Sequence, residues 1–306
     1  MTDKSCGAPV RARMHDGEVF ADAATVHRLL KVQFPYWADL PLTPVSSTGT
    51  SNALYRLGPD MAVRLPLQAY AQPEREYRWL SRIASQLPIA VSLPLGLGVP
   101  GEGYPWAWSI CRWLEGDIPD PERLDNPLGL AGDLAAFIAA LRAIDPADGP
   151  GPRIANYGRG APLAGRDKAV RDALATLGDT IDVSAAAASW DDSLAAPVWS
   201  GAPTWLHGDL NPGNLIVKGG RLAGVIDFGC LAVGDPACDL LAAWYVFPAD
   251  ARSTFRAALN PDDASWRRGR GWALSMALIA LPYYRDTNPW IMRNALRVVC
   301  AVLEDG

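Results

Sequence analysis

The chain has 306 residues, 49% hydrophobic and 20% charged, which suffices for two packed units of ordinary globular composition. A formal net charge of −5 and a pI near 5.3 argue against a nucleic-acid-binding surface. No stretch approaches the ~18 apolar residues of a membrane span, and the first twenty residues hold no apolar run of signal-peptide type. The five cysteines are scattered with no CxxC pair, so neither a disulfide framework nor a zinc site is expected. A reducing, cytoplasmic setting fits this cysteine usage.

Residues 1–20 are polar and contain Gly and Pro, and read as a flexible arm. Asp22 is placed to cap a helix whose apolar positions are Ala24, Val26, Leu29, Leu30 and Phe34. Three short β-like pieces come next, at 42–46, 53–57 and 61–65, the last two joined by the turn Gly58-Pro59-Asp60. Pro73 opens an amphipathic helix to about residue 86, and residues 91–99 and 106–114 read as two further strands. The break at 115–119 divides the chain into 21–115 and 116–306. The second part is mainly helical, with helices expected at 128–144, 167–177 and 183–194, and again from about residue 238 onward. Between residues 205 and 228 the helical period disappears. There, 215–217 and 223–226 flank the turn Lys218-Gly219-Gly220-Arg221 as a hairpin.

That hairpin carries the chemistry. It comes after His207-Gly208-Asp209-Leu210-Asn211-Pro212-Gly213-Asn214 and runs into Ile226-Asp227-Phe228-Gly229. Asp209 and Asn214 fall in a tight loop before the first strand, and Asp227 falls at the exit of the second. Three oxygen-bearing side chains can therefore meet at one end of the hairpin. Phosphoryl transfer needs such a set: hard oxygen ligands for Mg²⁺ and a further carboxylate that orients the attacking hydroxyl and takes its proton. Taken singly, Asp and Asn in a Gly/Pro loop are turn formers; the ordered set is what points to catalysis.

The run H-G-D-x-x-x-x-N followed by I-D-F-G resembles the aminoglycoside phosphotransferase family of the protein-kinase-like fold. The resemblance implies an α+β, two-lobed architecture with a small antiparallel-sheet N-lobe that binds nucleotide and a mainly helical C-lobe. It implies Asp209 as catalytic base and Asn214 and Asp227 as magnesium ligands. It also implies a packing role for His207 and a bracing role for Asp235 and Asp239 in Gly234-Asp235-Pro236-Ala237-Cys238-Asp239. The phosphoryl donor would be ATP, with GTP left open.

In the N-terminal part, Ser47, Thr48, Gly49, Thr50, Ser51 and Asn52 form the phosphate-covering turn or a plain turn; GxGxxG is absent. Arg64 stands on the third β-like piece where kinases usually carry lysine, so it is either the phosphate-binding cation or an outward-facing strand arginine. Two acids on the next helix compete as its partner. The apolar stripe of Tyr77, Leu80, Ile83, Ala84 and Leu87 contains Glu76, four residues before Leu80, whereas Glu74 points away, so Glu76 is selected. Residues 106–114 resemble the strand and hinge beside adenine, which makes Arg112, Trp113 and Leu114 nucleotide-contact candidates.

Asp227 is followed almost at once by Gly234-Asp235-Pro236, which leaves little room for a peptide-docking segment and favours a small-molecule hydroxyl acceptor. The resemblance implies an antibiotic. Asp262, Asp263, Asp286 and Glu304 are candidates for an aminoglycoside's cations. Trp244, Tyr245, Trp266, Trp272, Tyr283, Tyr284 and Trp290 are candidates for a macrolide pocket or for core. Two alternatives remain open at this level: a metabolic kinase of the choline, homoserine or methylthioribose type, and a non-catalytic nucleotide-binding protein. No nucleic-acid, membrane or obligate protein partner is expected.

Overall fold

The computed structural model describes residues 17–46, 49, 51–69, 72–153 and 156–305. Ser47, Thr48 and Thr50 of the phosphate-turn candidate, and residues 1–16 of the N-terminal arm, lie outside the described residues. Of the arm, residues 17–20 are already attached: Val19 N–H donates to the Leu67 carbonyl, and Glu18 is buried.

Helix α1 (Ala23–Gln33) begins where Asp22 accepts from the Thr25 N–H, and it buries Val26, Leu29 and Leu30. Strands β1 (Leu42–Pro44), β2 (Asn52–Leu57) and β3 (Met61–Pro66) form an antiparallel meander, and Leu57 faces Met61 across the Gly58 turn. Helix α2 (Pro73–Ile83) comes next, continued by a 3-10 turn to Gln86. The segment expected as one strand at 91–99 is two. β4 (Ala90–Val91) pairs in parallel with a strand of the C-terminal half, and only β5 (Pro94–Gly98) joins β6 (Trp108–Arg112). The Leu93-Pro94 step separates them, since Pro offers no N–H to a ladder. The N-terminal sheet has order β1-β2-β3-β6-β5.

The C-terminal half contains α3 (Pro127–Ala143), α4 (Asp167–Leu174) and α5 (Val183–Leu194), the first and third capped by Asn126 and Asp182. Strand β7 (Thr204–Leu206) leads into the loop of residues 207–214. Next come the hairpin β8 (Leu215–Lys218) and β9 (Arg221–Val225), then β10 (Ala232–Gly234), which returns to pair antiparallel with β7. A 3-10 run from Pro236 to Leu241 enters α6 (Ala242–Val246), and α7 (Ala249–Leu259), α8 (Asp263–Tyr284) and α9 (Pro289–Glu304) complete the chain. Among the described residues no helix is long and apolar enough to cross a membrane.

Two apolar cores result. The smaller joins α1 to the five-stranded sheet through Leu29, Leu30, Tyr55, Leu57, Val63, Leu65 and Trp108. The larger fills the helical half, and it also takes in Trp79, Leu80 and Ile83 of α2 and Val91 of β4. Trp79 sits 5.7 Å from Trp205, ring to ring. Helix α2 and strand β4 thus precede the break at 115–119 in sequence but pack with the C-terminal half. Tyr77, expected on the apolar stripe, is 39% exposed; Trp79 lies on the inner face instead, beside Glu76, Leu80 and Ile83.

Candidate active site

The loop between β7 and β8 is shaped from beneath by buried polar groups. Asp239, 1% exposed, accepts N–H bonds from His207 (2.8 Å) and Gly208 (2.7 Å). Burial pushes its carboxyl above the usual aspartate range, and the two N–H donors oppose that shift. His207 is fully buried with its ring 4.6 Å from that of Phe228. Its Nδ1 accepts from the Asp209 N–H (3.2 Å), which assigns the proton to Nε2, where it reaches the Ile226 carbonyl (3.0 Å). One imidazole therefore ties the residue before Asp227 to the backbone of Asp209. Asp235 caps the next turn through the Ala237 N–H and receives a buried bidentate contact from Arg268 at 2.7 and 3.3 Å.

Asp209 is presented above this base. Asn214 Nδ2 donates to its carbonyl (2.8 Å) and to Oδ2 (2.9 Å), which leaves the Asn214 amide oxygen as an acceptor. Asn211 caps the next turn at Gly213 N–H. The Ile226 N–H donates to the Asn214 carbonyl, so the exit of β9 is fastened to the entry of β8. Asp227 then takes φ 61°, ψ 69°, a left-handed conformation uncommon outside Gly, Asn and Asp and frequent at functional clefts.

Across the cleft, Arg64 on β3 directs Nη1 to Glu76 Oε1 (2.8 Å) and Nη2 to Asp227 Oδ1 (3.0 Å). Burial alone would lower the pKa of this guanidinium, but Glu76 and Asp227 outweigh burial and raise it. Of the two acids on α2, Glu76 is the buried and paired one, as its helical angle requires. Arg75 on the same helix reaches the Leu231 carbonyl at 2.6 Å, a second tie between α2 and the turn after Asp227.

One cleft is lined by Ser51, Asn52, Arg64, Glu76, Asp209 and Asp227. Gly49 is exposed. Arg112, Trp113 and Leu114 do not line the cleft. Arg112 and Trp113 donate backbone N–H groups to Leu93 and Asp60, the Trp113 ring lies under Arg56, and Leu114 packs on Gly224. A contact from this segment to a base would come through its remaining backbone groups. Tyr157 and Cys230 line the cleft and Arg159 lies behind it; none of these three was singled out by motif or period. Burial pushes the Cys230 thiol up to about 12.

Two side-chain oxygens suit a magnesium ion. Among the described residues, Asn214 Oδ1 and Asp227 Oδ2 are hard oxygen atoms that no other residue engages, the type and number Mg²⁺ takes from protein when phosphate and water supply the rest. Among the described residues there is no cluster of three or more His, Cys, Asp or Glu of metal-binding geometry. A site of one carboxylate and one amide is consistent with that.

The antiparallel N-terminal sheet, the inward α2 acid and the Asp209 loop set on a hairpin belong to a kinase-like phosphotransferase. The chain belongs to the phosphotransferase enzyme family, whose model matches residues 42–272. Among solved structures, the GDP complex of wild-type aminoglycoside 2'-phosphotransferase-IIIa is similar at TM-score 0.72 and 18% identity, over 93% of this chain and 99% of that one. The streptomycin-ATP-APH(2")-IIa ternary complex matches at TM-score 0.58 and 20% identity, over 85% and 90%. Macrolide 2'-phosphotransferase MphH from Brachybacterium faecium, as apoenzyme, matches at TM-score 0.58 and 22% identity, over 90% and 96%. No curated protein sequence matches the chain.

Proposed function

We propose that this protein transfers the terminal phosphoryl group of ATP, or of GTP, to a hydroxyl of a small molecule, and that the acceptor is an antibiotic of the aminoglycoside or macrolide type. The observation that carries this reading is the joint placement of Asp209, Asp227 and the Arg64–Glu76 pair on one cleft, with Asp209 bonded to Asn214. Asp209 would orient the acceptor hydroxyl and take its proton through Oδ1, since Oδ2 is engaged by Asn214. Arg64 would hold the donor's non-transferred phosphates, its orientation fixed by Glu76. Asn214 and Asp227 would hold Mg²⁺, which neutralises phosphate charge when bound. Residues 21–115 would serve mainly the nucleotide and 116–306 the acceptor.

The antibiotic class is supported by the complexes of structurally similar proteins, which contain GDP or ATP and, in one case, streptomycin. Within this chain the acidic candidates are partly committed elsewhere. Asp262 caps α8 at the Ser265 N–H, and Asp263 pairs with Arg256 at 2.6 Å. Trp244 and Trp272 are core residues, whereas the Trp290 ring lies against Gly213 of the catalytic loop. These placements leave the exposed Asp286 and Glu304 for a polycation and Trp290, beside Gly213, for a macrolide ring. The described cysteines are all free, which supports action in the cytoplasm. Phosphorylating the drug there would confer resistance.

A panel of aminoglycosides, macrolides, choline, homoserine and methylthioribose, scored by ADP or GDP release with Asp209→Asn as the blank, tests this reading. Turnover of an antibiotic, abolished in the variant, is expected. A metabolite with the highest kcat/KM would replace it with a metabolic kinase. Nucleotide binding without turnover of any acceptor would replace it with a binding module.

A further inference from the structure

We propose that Arg159 is the positioning residue of the catalytic carboxylate, acting through Asp209 and not on either substrate. The inference rests on Asp209 being the base. Arg159 lies in the Gly- and Pro-rich segment between α3 and α4, where no motif or period marks it. It is nevertheless only 7% exposed, and its Nη2 lies 3.8 Å from Asp209 Oδ1. Asn214 holds Oδ2 at 2.9 Å. The two carboxylate oxygens are thus addressed from two sides by two elements distant in sequence.

The arginine is placed by construction. Its backbone N–H donates to the Asn156 carbonyl, and the Asn156 side chain accepts from the Arg153 N–H. The neighbouring Gly160 carbonyl accepts from the Asp235 N–H at 2.9 Å. A side chain at Gly234 would approach that carbonyl to 2.6 Å, so the turn is pressed onto the end of β10. On the other side, the Arg159 stem covers Gly208, where a Cβ would come within 3.0 Å of Arg159 Cβ. The guanidinium sits 5.7 Å from the centre of the buried Trp272 ring.

Such a placement is unfavourable unless something opposes its cost. Among the described residues, Nε and Nη1 of Arg159 are buried with no hydrogen-bond partner, and a buried unpaired donor is destabilising. Arg166 shares the Trp272 ring at 5.1 Å and brings a second positive charge. Burial, and then Arg159, lower the Arg166 guanidinium to about 10. Nearby acids other than Asp209 are committed: Asp239 to the His207 and Gly208 N–H groups, Asp235 to Arg268. Asp209 is the acid that Arg159 faces within 4 Å. A carboxylate hydrogen-bonded at one oxygen alone can swing about its Cβ–Cγ bond; a guanidinium charge 3.8 Å from the other oxygen opposes that swing and leaves Oδ1 a lone pair for the hydroxyl. Orientation of this kind is what a transfer without covalent intermediates depends on.

The test is a kinetic double-mutant cycle of Arg159→Met and Asp209→Asn in the full chain, with nucleotide binding measured alongside. We expect Arg159→Met to lower kcat about 30- to 100-fold, with KM for both substrates and nucleotide Kd within about threefold of wild type. In the Asp209→Asn background the second substitution should change the residual rate less than about threefold, because the two groups act as one unit. Arg159→Ala should recover part of its kcat on addition of guanidinium ion, and Arg159→Lys should retain more turnover than Arg159→Met. Losses that multiply in the double variant would mean that Arg159 touches the transferring phosphoryl group directly, and would overturn the proposal. So would wild-type kcat in Arg159→Met while Asp209→Asn is inactive. Should Arg159→Met fail to bind nucleotide, the decision passes to Arg159→Lys, where unchanged kcat or a change confined to KM overturns the proposal. Normal turnover in Asp209→Asn would instead remove the base assignment itself, a distinct result.

Discussion

Arg64 Nη2 lies 3.0 Å from Asp227 Oδ1 across the cleft, while Nη1 of the same fork lies 2.8 Å from Glu76 Oε1. One planar group thereby joins a strand of the N-terminal sheet, the helix beside it and the exit of the β8–β9 hairpin. A lysine ammonium is a single point and lacks the fork that spans these two acids. Arg64→Lys should therefore raise the nucleotide KM about tenfold with a smaller change in kcat. Arg64→Met, which leaves Glu76 buried beside an apolar group, should destabilise the fold by about 3 kcal/mol. Steady-state kinetics at varied nucleotide and a denaturant titration check both; equal nucleotide KM in wild type and Arg64→Lys would remove Arg64 from phosphate binding.

The backbone of Asp227 makes a cleaner metal test available than alanine would. At φ 61° most side chains are strained, but Asn tolerates the left-handed region about as well as Asp does. Asp227→Asn should fold normally, keep its contact to Arg64 through the amide oxygen, and lose the charge that the proposed metal ligand supplies. Turnover should fall by about 10²-fold or more, and the Mg²⁺ concentration giving half-maximal rate should rise. An unchanged magnesium dependence would exclude Asp227 as a ligand.

The sequence made some of this site legible and hid the rest for identifiable reasons. Glu76 was separable from Glu74 because a helix repeats every 3.6 residues, and one of the two acids fell on the apolar stripe. The hairpin at Asp209 to Asp227 was readable because its turn residues and short apolar runs are local signals. Strands β7 and β10 were not, because three residues carry no period and their pairing joins Thr204 to Gly234 across the whole loop. The split of 91–99 into β4 and β5 depends on a parallel partner more than a hundred residues away. Arg159 is the extreme case: a charged residue in a Gly/Pro loop reads as exposed, and only the folded position of Trp272 and Gly208 buries it.

Gly208, next to Asp209, leaves no room for a side chain. Its φ is +83°, and a Cβ there would lie 2.9 Å from the Cys230 carbonyl oxygen and 3.0 Å from Arg159 Cβ. Both the backbone conformation and the space exclude a side chain. Gly208→Ala should cost about 1–2 kcal/mol from the left-handed backbone alone, with the steric contact adding to it. Because the displaced groups flank Asp209, kcat should fall at least tenfold while nucleotide Kd changes little. Wild-type kcat in a folded Gly208→Ala protein would show that the loop relaxes without moving its carboxylate.

A pH-dependent stability term is expected from Asp133 on α3. Its carboxylate receives Arg221 Nε at 2.7 Å and Nη2 at 2.6 Å, together with the Leu222 N–H at 3.1 Å, so it fastens the β8–β9 hairpin to the helix behind it. The Arg221 hydrogen bond, against some burial, holds its pKa below the usual aspartate value. A group bound more tightly as carboxylate stabilises the fold in full above its unfolded pKa of about 3.9. That contribution is lost as pH falls through the lower folded value. Asp133→Asn should thus be destabilised at pH 7 by about 0.5–1 kcal/mol, a figure that allows for solvent screening at this half-open site. The gap to wild type should stay constant from pH 7 down to about 5 and close progressively below about pH 4. Paired denaturant titrations across that range measure it. A gap that persists undiminished at pH 3 would mean that packing of the hairpin on α3, and not the ionised carboxylate, supplies the tie.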